Sequence, residues 1–338
     1  MRERDWIADC GLPIADCRLR ILNLNKMTMI KKSLLLFIFF LAFHAAGAQN
    51  VGSSPEYIRS LTSEWKGERF PDGRPKVSDA ILERLKNISI EEAWGVLRNK
   101  GYQNQYEGDW TILHPDEVMT GRVVTAQYMP LRPDYERYIK ERGKAENRAQ
   151  QGGTNSWPID MLVEGDVYVA DSYGKIIDGT LIGDNLGNSI YSKSKRGVIF
   201  NGSVRDMEGL NEITGFNAWI KGSDPSYIMQ MSLTSINAPI RIGRAIVIPG
   251  DVVLAKKYGV IFIPAHLIEE LVITSEVTAL RDKFGHQRLR EGKYKPGEID
   301  SMWSEEIKKD FINWLNNYPG KLPMTKQELD NYFKERNW

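Results

Sequence analysis

Several short stretches, each bounded by glycine, proline or aspartate, either alternate apolar with polar positions or are continuously apolar, and this pattern predicts β-strands. The clearest are Gly121 to Met129 (GRVVTAQYM), Asp166 to Asp171 (DVYVAD), the wholly apolar Gly197 to Phe200, and Phe216 to Ile220. Pro239 to Ile248 (PIRIGRAIVI) also reads as strand. Val252 to Ala255 and Val260 to Ile263, joined at Lys257-Tyr258-Gly259, read as a β-hairpin closed by Pro264. Helical spacing marks Pro55 to Trp65, Ala80 to Leu85 behind Ser78 or Asp79 as cap, Ile90 to Leu97, and Glu208 to Thr214. From His266 the spacing of Leu267, Leu271, Val272 and Leu280 predicts a long amphipathic helix, with two more near Glu305 to Asn316 and Lys326 to Arg336. Two regions break the pattern. Asn50 to Lys76 is polar and turn-rich, a surface arm, and Pro130 to Trp157 is charged, then Gly/Asn-rich, a solvated helix and loop inserted between two core strands.

The 338 residues carry 45 basic and 44 acidic side chains, a formal charge of +1, with no long single-sign run. A nucleic-acid partner is therefore not expected, because phosphate binding calls for a basic stripe. There is no internal repeat, and neither a GxGxxG nor a GxxxxGK[ST] loop stands between a strand and a helix, so a dinucleotide, S-adenosylmethionine or ATP site has no support. Near the N-terminus, Lys31-Lys32, the apolar run Ser33 to Phe43 and Ala46-Gly47-Ala48 have the three parts of a signal peptide. The apolar run is well short of the ~20 residues of a membrane span. The expectation is an exported protein, periplasmic or secreted, that meets the membrane only during export and begins near Gln49. Residues 1–28 then form an upstream extension, 29–48 the signal peptide and 49–76 the arm. Both cysteines, Cys10 and Cys17, fall in the extension, so disulfide and thiolate chemistry drop out of the mature chain.

The candidate chemistry lies in Gly179 to Asp206 (GTLIGDNLGNSIYSKSKRGVIFNGSVRD). A glycine-spaced loop ends in Gly183-Asp184, and an apolar strand then ends in Arg205-Asp206. Two acids and an arginine at element ends suit a divalent metal and a small carboxylate. Taken alone, the same residues also fit a structural ion pair at Arg205-Asp206, a helix cap at Asp184 and a glycine turn. His114, His266 and His286 lack metal-ligand spacing and read as structural or surface residues.

The ordered set Val77-Ser78-Asp79-Ala80, Gly121-Arg122, Gly165-Asp166 with Asp171, Gly179 to Asp184, Gly202 to Asp206 and Pro249-Gly250-Asp251 resembles the RraA-like family. That family is built around the regulator of ribonuclease activity A, and its catalytic branch holds the class II 4-hydroxy-4-methyl-2-oxoglutarate/4-carboxy-4-hydroxy-2-oxoadipate aldolases. The resemblance runs from about Val77 to Ile268. It implies an α+β fold, a layered β-β-α sandwich of the swivelling-domain type, here a catalytic domain over 77–283 with the insertion 130–157. Helical N- and C-terminal extensions would flank it, the latter over 284–338. It further implies a homotrimer or homohexamer and a divalent-metal-dependent lyase that cleaves or decarboxylates a 2-oxo acid through a pyruvate enolate.

On this resemblance Asp206 is the ligand of Mg²⁺ or Mn²⁺. Arg205 meets the keto acid and the enolate oxygen, and Asp184 holds the water that shuttles the proton. Backbone of Gly179, Gly183, Asp184, Asn185 and Leu186 receives the substrate carboxylate. The chain departs from the family at Lys256-Lys257, where acidic residues are common. A neighbouring subunit completes the family's site near the C-terminal end, for which Glu269, Glu270 and Glu276 are candidates here. The alternative is a non-catalytic binding or regulatory protein like the founding regulator; export and the acid at Asp206 oppose it. Methyl transfer to a quinone, a third activity linked to the family by name, lacks its nucleotide loop.

Overall fold

Serines set where several helices begin. In this computed structural model, which describes residues 50–335, Ser54 accepts the Tyr57 amide ahead of α1 (Pro55–Leu61) and Ser78 the Ile81 amide ahead of α2 (Asp79–Leu85). Ser89 forms a reciprocal capping box with Glu92 at the start of α3 (Ile90–Asn99). Short strands β1 (Tyr106–Glu107) and β2 (Thr111–Ile112) precede β3 (Met119–Pro130). Three crossovers follow: α4 (Pro133–Ala145) and α5 (Trp157–Asp160) lead to β4 (Asp166–Asp171), α6 (Asp184–Ser194) leads to β5 (Val198–Val204), and α7 (Met207–Asn211) leads to β6 (Ala218–Ser223). Then come β7 (Met231–Ile236), β8 (Ile240–Ile242), β9 (Ala245–Val247), β10 (Val252–Lys256) and β11 (Gly259–Ile263). The chain closes with α8 (Ile268–Arg290), α9 (Pro296–Ile299), α10 (Glu305–Asn316) and α11 (Lys326–Glu335). The signal-peptide reading and both cysteines lie outside the described residues.

The strands join in the order β1-β11-β10-β3-β4-β5-β6-β2. The four from β3 to β6 run parallel, as their crossovers require. Long β3 takes two antiparallel partners along its other edge, β10 against its first residues and β7 against its last. Alternation then decides the faces. Tyr168 and Ala170 of β4 face the helices α4 to α7, while Val167 and Val169 face the β8–β9 hairpin. On the helix side α2, α3 and the first half of α8 cover β10 and β11. The fold is thus α+β, with a small β-layer, a mixed sheet and a helical layer.

Several expectations change in detail. PIRIGRAIVI is two strands, because Gly243 at φ 57° turns the chain back between Ile242 and Ala245. The arm is more than a surface strap: Arg74 is 1% exposed and makes a bidentate pair with Asp166 at 2.9 and 3.0 Å. The insertion also enters the core, through Ile139 and Trp157. Three motifs of the resemblance meet in one clasp at the start of β3 and β4. Arg122 donates to Val77 O, Asp79 Oδ1 and Glu164 O, and a side chain on Gly165 would collide with its guanidinium. Finally, α8 runs unbroken through residues 283 and 284 and carries α9 to α11 on its second half, around Phe284, Trp303 and Phe311. Among the described residues no helix is long and apolar enough to cross a membrane.

Candidate functional site

Ligand sites in open parallel sheets gather beyond the carboxyl ends of the strands. Gly179 to Asp206 lies at that edge. After β4 the chain turns and lays residues 180–182 beside the end of β5: Thr180 bridges Ser203, the Leu181 amide donates to Ser203 O at 3.0 Å, and the Arg205 amide donates to Ile182 O at 3.0 Å. This pairing brings Gly183 against Arg205-Asp206. A Cβ on Gly183 would stand 2.2 Å from Asp206 Oδ2 and 2.9 Å from Arg205 Nε, so the bare glycine is what admits the charged pair. Arg205 Nε lies 3.2 Å from Asp206 Oδ2, both side chains about 40% exposed at 40% and 43%. Asp206 itself holds the left-handed conformation, φ 55°, which fixes its turn out of β5.

Gly183 is also the N-cap of α6 and, lacking a side chain, makes no cap bond itself. The first turn of a helix leaves backbone amides without intrahelical partners and carries partial positive charge. These amides border a cleft of about 120 Å³ whose walls include Thr180, Ile182, Gly183, Asn185, Leu186 and Arg205. A helix start and a guanidinium facing one cleft can take a carboxylate.

The other expected residues take distinct places. Asp184 is the first residue of α6. Its Oδ1 accepts the Asn185 amide at 2.7 Å, which withdraws that amide from any ligand, and its carboxyl packs on bare Gly209 of α7. Asp184 and Asp206 therefore border Gly183 without lining the cleft. Gly179 stays in the preceding turn, where its amide donates to Ile176 O, and does not line the cleft either. Of the C-terminal acids, Glu276 is held by Arg84 at 2.6 Å and Glu270 by Lys100 at 2.6 Å.

Two contributions escape sequence reasoning. Asn155, 8% exposed in the insertion, donates its Nδ2 to Leu181 O at 2.7 Å and braces the loop. Tyr227 and Ile228, before β7, form the opposite wall. Asparagine in the turn-like GGTNSW segment was the one available signal for the first; nothing in the pattern marks the second.

Among the described residues no group of three or more His, Cys, Asp or Glu converges. Asp206 can still serve a hard cation. Its carboxylate is half-exposed oxygen, and Mg²⁺ is commonly held by one or two carboxylates while it keeps several waters.

The family model for RraA-like proteins, Aldolase/RraA, matches residues 74–262, more than half of the chain. The chain belongs to the RraA-like family. Among solved RraA-like structures, Streptomyces coelicolor RraAS2, an unusual member of the RNase ES inhibitor RraA protein family, is 24% identical. It aligns over 63% of this chain and 100% of its own, with a TM-score of 0.54. An uncharacterized protein from Pseudomonas syringae pv. tomato is 16% identical over 69% of this chain and 99% of its own, also at 0.54. At such identities these likenesses speak for the fold. The RraA-like match stops at β11, so α8 to α11 lie beyond it, and the buried Arg74 is its first residue.

Proposed function

We propose that this RraA-like protein is an exported, divalent-metal-dependent carbon–carbon lyase that acts on 2-oxo acids through a pyruvate enolate, as an aldolase of the hydroxymethyl-oxoglutarate type, an oxaloacetate decarboxylase, or both. The supporting observation is the placement of Arg205 and Asp206 on bare Gly183, the N-cap of α6, with Arg205 lining the cleft and Asp206 beside it.

The substrate's 1-carboxylate meets the first-turn amides of α6, where the helix dipole favours negative charge. Arg205 turns Nε to Asp206 and keeps its Nη groups for the 2-oxo oxygen. Asp206 would hold the cation, Mg²⁺ or Mn²⁺, which when bound would supply Lewis acidity to the keto group. In aldol cleavage the C4 hydroxyl loses its proton, the C3–C4 bond breaks, and its electron pair enters the pyruvate enolate. In decarboxylation the pair comes from the bond to the leaving CO₂. Arg205 stabilises the oxygen charge that develops. Asp184 stands beside the cleft at the helix start, so its part is indirect: it orients a water that reaches into the cleft, exchanges the proton and delivers it to C3.

Purified protein with Mg²⁺ or Mn²⁺ is expected to release pyruvate from oxaloacetate or from 4-hydroxy-4-methyl-2-oxoglutarate. Asp206→Ala and Arg205→Ala should each lower the rate by about a hundredfold or more while the melting temperature holds. No pyruvate from either substrate with either metal would sink the proposal.

A further inference from the structure

A second cavity, of about 300 Å³, lies beneath the N-terminal arm and shares no wall with the cleft. Its walls include Leu61, Trp65, Tyr102, Ile248, Asp251 and His266. Asp251 is 5% exposed. Its Oδ2 accepts the Ile248 amide at 2.8 Å, whereas Oδ1 has no hydrogen-bond partner among the described residues, and Asp251 lines the cavity. That oxygen is open to a ligand that enters the cavity.

The chemistry of the walls selects that ligand. Burial pushes the Asp251 carboxyl up to about 8, so at neutral pH it keeps its proton and Oδ1 can donate it. Burial also lowers His266, against the pull of Glu64 at the exposed rim, and its Nε2 already meets Tyr102 Oη at 3.2 Å. No full charge then stands deep in the cavity to welcome an ion, while Leu61, Trp65, Ile248 and Pro264 offer apolar walls.

We propose that the cavity is a binding site for a small neutral ring compound bearing one hydroxyl or carbonyl oxygen, the ring against Trp65 and Leu61 and the oxygen on Asp251. A cavity half this size lined only by hydrocarbon takes up benzene; the added carboxyl gives preference to an oxygen-bearing ring.

The probes are p-cresol and toluene, which share the ring and differ by the hydroxyl, titrated calorimetrically against the full chain at pH 7. p-Cresol is expected to bind about tenfold more tightly than toluene, the effect of one hydrogen bond. Leu61→Trp, which enlarges a wall residue other than Asp251 and fills part of the cavity, should abolish both. Equal affinity for the two probes, no binding of either by the unaltered chain, or unchanged binding in Leu61→Trp would each overturn the proposal.

Discussion

The room left by a missing side chain controls the charged pair at the cleft. Gly183 has an ordinary extended backbone, φ −117° and ψ −167°, so alanine is tolerated there conformationally, and only its methyl matters. That methyl would meet Asp206 Oδ2 and Arg205 Nε, both far ends of half-exposed side chains able to swing away. Gly183→Ala should therefore cost roughly 1 kcal/mol or less in a melting experiment. It should still reduce pyruvate release by about a hundredfold, since displacement of about an ångström is enough to disable a positioned group. Arg205 and Asp206 were legible in the sequence because a buried strand that ends in Arg-Asp after a glycine loop is an ordered, local signal. Asn155 was not, because its bond to Leu181 O joins segments 26 residues apart and spacing along the chain does not report such contacts.

The short apolar strand DVYVAD, bounded by aspartates, was found to the residue, as was the helix at Glu305 to Asn316 behind its Ser304 cap. PIRIGRAIVI misled because apolar residues stand on both sides of Gly243; the reversal shows only as a one-residue shift of the buried phase, from Ile240 and Ile242 to Ala245 and Val247. β7 went unread since Met231 to Ile236 (MSLTSI) is half polar; its order comes from pairing with the far end of β3. The C-terminal helices hold together differently, with a small aromatic core and an ion cluster in which Arg288 grips Asp310 through two bonds of 2.8 Å. Hydrogen bonds from Arg288, foremost, and from Lys293 hold the Asp310 carboxyl down to about 2, against an ordinary 3.8. An acid depressed in the fold stabilises it above the ordinary value and loses that contribution as pH falls through the folded value. Between about pH 4 and pH 2 this segment should lose on the order of 2 kcal/mol. Urea melts followed by Trp303 and Trp314 fluorescence should show the loss, and Asp310→Asn should flatten it; an unchanged pH profile in that variant would contradict the assignment.

For the molecule as a whole, the layered class was legible because the resemblance motifs fall in order. What they do was not: Asp79, Arg122 and Asp166 proved to fasten the fold at a distance from the cleft. The Arg74 to Asp166 bond also has a temporal meaning. Its two ends are 92 residues apart, so at ribosomal speeds of about 5–20 residues per second the arginine is made roughly 5–18 s before its acid. During that interval the guanidinium has Asp72, which it meets at 2.7 Å, but not the fully buried Asp166 that it grips through two bonds, and burying it without that second carboxylate costs several kcal/mol. The arm is therefore expected to stay exposed to proteases until Asp166 is available. Stalled nascent chains of increasing length, translated without residues 1–48, should be clipped within residues 66–76 until Asp166 has left the ribosome and become protected after it; protection of chains that end before Asp166 would refute this order. A segment at the beginning of the domain thus serves as the record that its middle has been completed.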